Sequence, residues 1–189
     1  DGWSETSFRN SIIENAYDIS AVTRIFPRRE IDLALYFHTF DDEIAFHKIQ
    51  TKEVTSYKIR EKIIMAIFTR LEIAHKNKEA VRRSFAMFSL PFYVSDVAKA
   101  VLNTSDVIWR AIDDQSDQFT WYTKRLSLSL VYSSCLLFWL NDTSNEYEET
   151  QAFIERRVND ILKIEKIKSK VKDLGLFQPI NEFLGSKSR

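Results

Sequence analysis

Glycine is nearly missing from these 189 residues: there are three, and none lies between Gly2 and Gly175. Two-residue hairpin turns draw on glycine for their positive φ angles, so an all-β or doubly wound α/β fold has almost nothing to be turned with. The same gap excludes a Gly-rich phosphate loop, and with it the Rossmann and Walker A nucleotide sites. The three prolines, at 27, 91 and 179, stand as isolated breaks. A single cysteine, Cys135, excludes a disulfide scaffold and any multi-cysteine zinc site, and fits a reducing compartment. Neither sign of charge is in excess, with 27 basic against 27 acidic residues, which removes the global argument for a nucleic-acid binder. The first fifteen residues carry Asp1, Glu5 and Glu14 and no apolar run, so they do not read as a targeting segment; because the chain does not begin with Met, a processed or excised piece is expected.

What is present is a chain 44% hydrophobic and 13% aromatic, enough apolar surface to offset the entropy of ordering one domain. Its periodicity is helical throughout. Ser4 can cap a segment carrying Phe8, Ile12, Ile13 and Ala16 at helical spacing, continued by Ile19, Val22 and Ile25 until Pro27 breaks it. A second helix is expected from Arg28 to about Lys48. Tyr57 to Lys76 is an amphipath with Ile59, Ile63, Ile67, Leu71 and Ala74 on one stripe and Arg60, Lys62, Arg70 and Glu72 away from it. Val81, Phe85 and Phe88 lead to Pro91, after which Ser95 is the expected cap of a helix through Val101, Ile108 and Ile112. That helix should stop at the acidic turn containing Asp113, Asp114 and Asp117.

Leu126 to Leu140 carries no charge, but about 20 apolar residues are needed to span a bilayer, and Arg125, Asp142 and four serines bound and interrupt this run. Its first residues alternate with period two as a strand would. The Tyr122, Leu126, Leu130 and Leu137 steps point instead to a central buried helix. Thr143 to Glu146 resembles a capping box opening a last long helix that ends at Gly175. Beyond it, Leu176, Phe177, Ile180, Phe183 and Leu184 form an apolar tail within a segment, Lys163 to Arg189, holding seven basic and three acidic residues. An anionic membrane surface or a solvated basic terminus would both fit that pattern.

Catalytic constellations are scarce. Cys135 sits mid-helix among apolar residues, which favours packing over thiolate chemistry. Glu72 and His75 match one Glu-x-x-His step of a di-iron bundle, but such a site needs the step twice and two further Glu residues. The Asp113, Asp114 and Asp117 group reads as a solvated cap. Binding is the better reading. Apolar residues at Phe85, Phe88, Leu102, Leu130, Tyr132, Leu137 and Phe138 could line a pocket for a long apolar ligand, although plain core packing gives the same pattern. Trp121 and Tyr122, beside Lys124 and Arg125, look like a contact surface.

Several segments together resemble a known family. Ile25-Phe26-Pro27-Arg28, Thr69-Arg70-Leu71-Glu72, Leu90-Pro91, Asp114-Gln115-Ser116, Phe119-x-Trp121-Tyr122-Thr123-Lys124-Arg125 and Arg156-Arg157-Val158-Asn159-Asp160 occur in the order seen in the coenzyme Q biosynthesis accessory family, the ninth in that pathway's usual naming. The resemblance implies an all-α, TetR-like bundle. Residues 1–50 would be a helix-turn-helix-like part, incomplete at its start, residues 51–174 a lipid-binding domain and residues 175–189 a short amphipathic tail. It also implies a non-enzymatic homodimer without metal or other cofactor. Such a protein binds an isoprenoid quinone precursor or a phospholipid and assists demethoxyubiquinone hydroxylase, peripherally on an inner membrane facing the mitochondrial matrix or a bacterial cytoplasm. By motif position, Asp106, Ile108, Trp121, Tyr122 and Arg125 would dock the hydroxylase, and Leu176 to Leu184 would meet the membrane. A TetR-like ligand-sensing regulator is the alternative. Arg24, Arg28 and Arg29 speak for it, but Glu30, Asp32, Asp41, Asp42 and Glu43 follow them, and phosphate-contacting surfaces seldom carry such a run.

Overall fold

A computed structural model describes residues 2–52, 56–114 and 118–173. Among these there are eight α-helices, two short 3-10 turns and no strand: α1 (Glu5–Glu14), α2 (Ile19–Ile25), α3 (Glu30–Gln50), α4 (Ile59–His75), α5 (Lys78–Phe88), α6 (Val94–Ala111), α7 (Gln118–Asn141) and α8 (Glu148–Asp173). The all-α expectation therefore holds. The apolar tail from Leu176 to Leu184 and the expected stop at Gly175 lie outside the described residues.

Local signals place most boundaries. Ser4 caps α1, its hydroxyl accepting from the Ser7 amide. The expected single helix up to Ile25 is instead two, because Ala16 turns to φ 53° and Asp18 caps a new helix through the Ser20 and Ala21 amides. Ser95 is not a cap. A 3-10 turn over Pro91–Tyr93, started by the proline's fixed φ, feeds directly into α6, with Tyr93 in the cap position two residues before Ser95. At the other joint the capping box does not form. A 3-10 turn over Asn145–Tyr147 intervenes with Glu146 at φ 48°, and α8 is capped from further back by Asp142, which accepts from the Ser144 and Thr150 amides at 2.7 and 2.9 Å.

The helices close a ring. α3 lies against α4 and α6, α4 against α8, α8 against α7, and α7 against α6. Inside sit Ile67, Leu71, Ile108, Tyr132, Cys135, Trp139 and Ile154, all essentially without solvent access. α3, grouped with the N-terminal part from sequence, is thus a wall of the main bundle, while α2 buries no residue at all. α7 is a correction of another kind: one face is core, but Leu126, Leu130 and Leu137 stand 56%, 67% and 42% exposed, so the helix forms an edge of the bundle rather than its centre. Among the described residues no single helix is long and apolar enough to cross a membrane.

Candidate functional site

Two features lie along α6 and α7: a charged aromatic patch where the chain passes from one helix to the other, and an apolar cavity behind their middle turns. The patch begins with spacing. Asp106 and Arg110 are four apart on α6, and Trp121 and Arg125 four apart on α7, so each pair shares one helical face. Asp106 receives Arg125 Nε at 2.6 Å on one carboxylate oxygen and Arg110 Nε at 3.0 Å on the other. The Arg125 guanidinium is buried over the Trp121 ring, its Cζ 3.8 Å from the centroid, and Tyr122 meets Trp121 edge-on at 4.7 Å. Tyr122 is 73% exposed. Arg110 reaches on to Phe46 of α3, 5.5 Å from its ring. A half-buried Trp, an exposed Tyr and an arginine already oriented by a carboxylate are the residue types that concentrate binding energy in protein interfaces.

Of the five residues the resemblance assigned to docking, Asp106, Trp121, Tyr122 and Arg125 come together here. Ile108 does not join them, since it is fully buried in the core and supports α6 from beneath. Asp114, expected in a solvated cap, is instead a buried carboxylate that Lys124 Nζ approaches at 2.7 Å. The same ammonium lies over the Trp109 ring, whose indole N–H donates to the Lys124 carbonyl, so the start of α7 is held to the end of α6 by three kinds of contact.

The cavity is bounded by α3, α5, α6 and α7 and has a volume of about 180 Å³. Phe85 and Phe88 line it as expected, joined by Leu35, Val81, Val97 and Leu136. Its polar atoms are already engaged: Ser84 and Ser133 donate to carbonyls of their own helices, Val81 at 2.8 Å and Ser129 at 2.9 Å. Leu102 and Leu130 line a neighbouring open groove instead. Tyr132 belongs to the core, Leu137 is exposed on α7, and Phe138 stacks on Phe153 of α8 at 4.3 Å. The seven residues read from sequence as one lining are therefore spread over five environments, the cavity, the groove, the core, solvent and the contact with α8, and the four on α7 diverge because that helix turns different faces to each.

Sequence reasoning missed what backs the cavity. Arg70, placed on the polar side of α4, is 2% exposed and sits against two acidic residues of α3, Asp42 at 2.7 Å and Asp41 at 3.4 Å. His38 completes the network: its Nδ1 accepts from Arg70 Nη2 at 3.4 Å, which leaves Nε2–H to donate to Thr104 at 2.9 Å, and Thr104 in turn donates to Asp42. Burial, reinforced by the Arg70 charge, lowers the His38 pKa to about 4, so the imidazole facing the cavity is neutral. Burial raises the Asp41 pKa. For Arg70 burial works against the charge, yet Tyr132, Asp42 and Asp41 hold its pKa above the ordinary value. The adjacent acidic pair in the middle of an apolar helix was the available signal, since such a pair is costly to bury without a cation.

Other candidates disperse. Glu72 pairs with Lys48 at 3.3 Å, and His75 Nδ1 meets the Tyr147 hydroxyl at 2.6 Å, so the Glu-x-x-His step serves two separate contacts. Among the described residues no group of three or more potential ligands could hold a metal ion. Cys135 is fully buried and its thiol is pushed up to about 12, chiefly by that burial.

Residues 94–165, which form α6, α7 and most of α8, match the profile of the family described as COQ9. These helices carry the COQ9 pattern. The resemblance read from the motifs is thus found independently, and in the part of the chain that builds both the patch and one wall of the cavity. Among named COQ9 relatives, the chain is 26% identical over 178 residues to a probable ubiquinone biosynthesis protein coq9, mitochondrial, of Dictyostelium discoideum, covering 91% of this chain and 58% of that protein. It is 28% identical over 157 residues to the mitochondrial ubiquinone biosynthesis protein coq9 of Schizosaccharomyces pombe, covering 82% and 61%. With the human mitochondrial COQ9 it shares 31% over 110 residues, or 58% of this chain and 35% of that one. The chain spans about three-fifths of the length of the first two of these relatives.

Proposed function

We propose that this chain serves ubiquinone biosynthesis as a non-enzymatic accessory protein: it holds an isoprenoid quinone precursor or another lipid in the bundle and presents it to demethoxyubiquinone hydroxylase. The observation that carries the reading is the apolar cavity. Its walls offer no charged side chain, its hydroxyls are spent on helix carbonyls, and its one imidazole is neutral, so a charged or strongly polar ligand has nothing to meet while a hydrocarbon chain does. The names of the relatives support the pathway, and the composition of the Trp121 patch supports a protein partner beside the cavity. Homodimer formation, a helix-turn-helix-like N-terminal part whose third helix, α3, also walls the main bundle, and a peripheral inner-membrane location on the matrix side belong to the same proposal, the last in keeping with relatives named as mitochondrial. The ligand-sensing regulator draws no support from those names. It also loses two of its arginines, because Arg28 is engaged by Asp32 and Asp96, and Arg29 by Glu5.

The test is chemical. The protein is purified from cells that make ubiquinone, extracted into organic solvent and the extract analysed by mass spectrometry. Isoprenoid quinones or phospholipid approaching one molecule per cavity are expected; well-folded protein carrying no lipid would overturn the reading.

A further inference from the structure

Apolar side chains gather on the outside of the molecule where α5 passes into α6. The stretch from Ser84 to Ser95 carries no charged residue. Within it Phe92 is 85% exposed, Val94 64%, Leu90 49% and Phe85 40%, while α5 itself buries only Val81. α5 and the stretch Pro91–Ala111 are together long and apolar enough to cross a membrane, but they are bent by 100° at their junction, so the chain turns there at a corner. Much of the corner's polarity is paired internally. The amides of Ser89, Tyr93 and Val94 donate to the carbonyls of Phe85, Leu90 and Pro91, Pro91 has no amide to offer, and the Ser89 hydroxyl donates to the Ala86 carbonyl at 2.7 Å. Such internal pairing is what a hydrocarbon environment demands of a backbone. Tyr93, edge-on to Phe88 at 5.9 Å, adds a ring with a polar tip, the kind of side chain that collects at the level of lipid headgroups.

Area and charge indicate what covers the corner. From their exposed fractions the four side chains present on the order of 400 Å² of apolar surface, about half of what each partner of a stable protein interface contributes. The cations at its edges are largely answered within the protein, Arg28 by Asp32 and Asp96, and Arg83 by Glu79. A protein interface adds a polar rim that fixes orientation, and this corner has little of one, whereas a bilayer needs none. We propose that the α5–α6 corner is a membrane-inserting wedge: Leu90, Phe92 and Val94 enter the acyl region of a lipid surface, with Tyr93 at the headgroup level. The proposal rests on the peripheral-membrane part of the proposed function and adds a contact separate from the apolar tail Leu176 to Leu184. Because apolar burial carries the contact, it requires no anionic lipid and withstands salt.

The chain's only cysteine is buried, so a thiol introduced by Phe92→Cys can be labelled selectively with the polarity-sensitive fluorophore NBD. Emission is followed on the whole chain as vesicles are added, made either of phosphatidylcholine alone or of phosphatidylcholine with an equal part of phosphatidylglycerol. Flotation with the same vesicles measures binding of the unlabelled protein and of Phe92→Asp, with melting temperature as the check on folding. With both compositions the probe is expected to shift to the blue and to be quenched by nitroxides on the acyl chains. Phe92→Asp should weaken flotation at least about tenfold at an unchanged melting temperature. Vesicle binding that leaves the probe in water, or that Phe92→Asp does not alter, would overturn the wedge while membrane association through another element stands. A blue shift that grows with protein concentration in the absence of vesicles would put a second copy on the corner and overturn the proposal, whereas a dimer formed elsewhere leaves the probe unmoved. A shift produced by demethoxyubiquinone hydroxylase without lipid would make the corner a protein interface, with the same result. Failure of the unaltered chain to bind either vesicle would bring down the peripheral-membrane reading together with the wedge.

Discussion

Arg70 shows how far a single side chain can depart from its periodicity. An isolated guanidinium on the wrong face of an amphipathic helix would be expelled, yet here Asp41 and Asp42 supply two carboxylates from α3, and His38 adds its ring and carbonyl. The arrangement holds only while both signs are present. Arg70→Met leaves two buried acids facing apolar neighbours, and a loss of about 3 to 5 kcal/mol in urea denaturation is expected. Combined with Asp42→Leu it should cost less than the sum of the two single changes, since the acid left behind causes much of the damage. His38 gives the same network a pH signature. Its folded pKa of about 4 lies below the usual histidine value near 6.5, so between these limits the unfolded chain takes a proton that the folded one refuses. Stability from this group is complete above pH 6.5 and is lost as the pH falls to 4, by about 3 kcal/mol. His38→Gln, whose amide can accept from Arg70 and donate to Thr104, should flatten that part of the stability curve; an unchanged slope would show that another group titrates there.

At the scale of elements, the sequence was legible wherever one local signal decided the matter. Ser4 capped α1 as read, the stripe from Ile59 to Ala74 was the buried face of α4 apart from the exposed Ile59 at its start, and the uncharged run before Leu140 was a helix despite its strand-like opening. It misled where a distant residue could take over a role. Asp142 lies before the expected box and still reaches two amides and the Thr150 hydroxyl, the latter at 2.5 Å, across a 3-10 turn that no periodicity announces. Likewise the face of α7 that carries Leu126 and Leu130 is as apolar as its core face, and only the placement of α6 and α8 distinguishes them. The misplaced cap carries a prediction. Although burial pushes the other way, hydrogen bonds from Ser144 and Thr150 lower the Asp142 pKa to about 2, so its stabilising effect is present above the ordinary value near 3.9 and fades as the pH falls toward 2. Asp142→Ala should cost about 2 kcal/mol at neutral pH by thermal denaturation. The variant and the unaltered protein should converge in acid, whereas Glu146→Ala, which tests the capping box that did not form, should lower stability far less.

For the whole molecule, what matters is that cavity and patch use the same two helices without sharing side chains. The core beneath them, with Ile108, Trp139 and Tyr132 fully enclosed, fixes α6 and α7 relative to each other, and the Asp106–Arg125 pair locks their adjoining ends. A change in one site therefore has no need to disturb the other, provided the core is left alone. Ala100→Phe pushes a ring into the cavity from α6, and Trp121→Ala removes the platform on which Arg125 rests. The first should abolish co-purifying lipid and leave affinity for demethoxyubiquinone hydroxylase within about twofold. The second should weaken that affinity by about 2 kcal/mol or more, the scale of an interface hot spot, with lipid content and melting temperature unchanged. Calorimetric titration of both variants against the hydroxylase, with lipid quantified in the same preparations, separates the cases. Loss of both properties in both variants would mean that the ligand itself forms part of the docking surface. In that event the partner recognises the loaded protein rather than the bare patch.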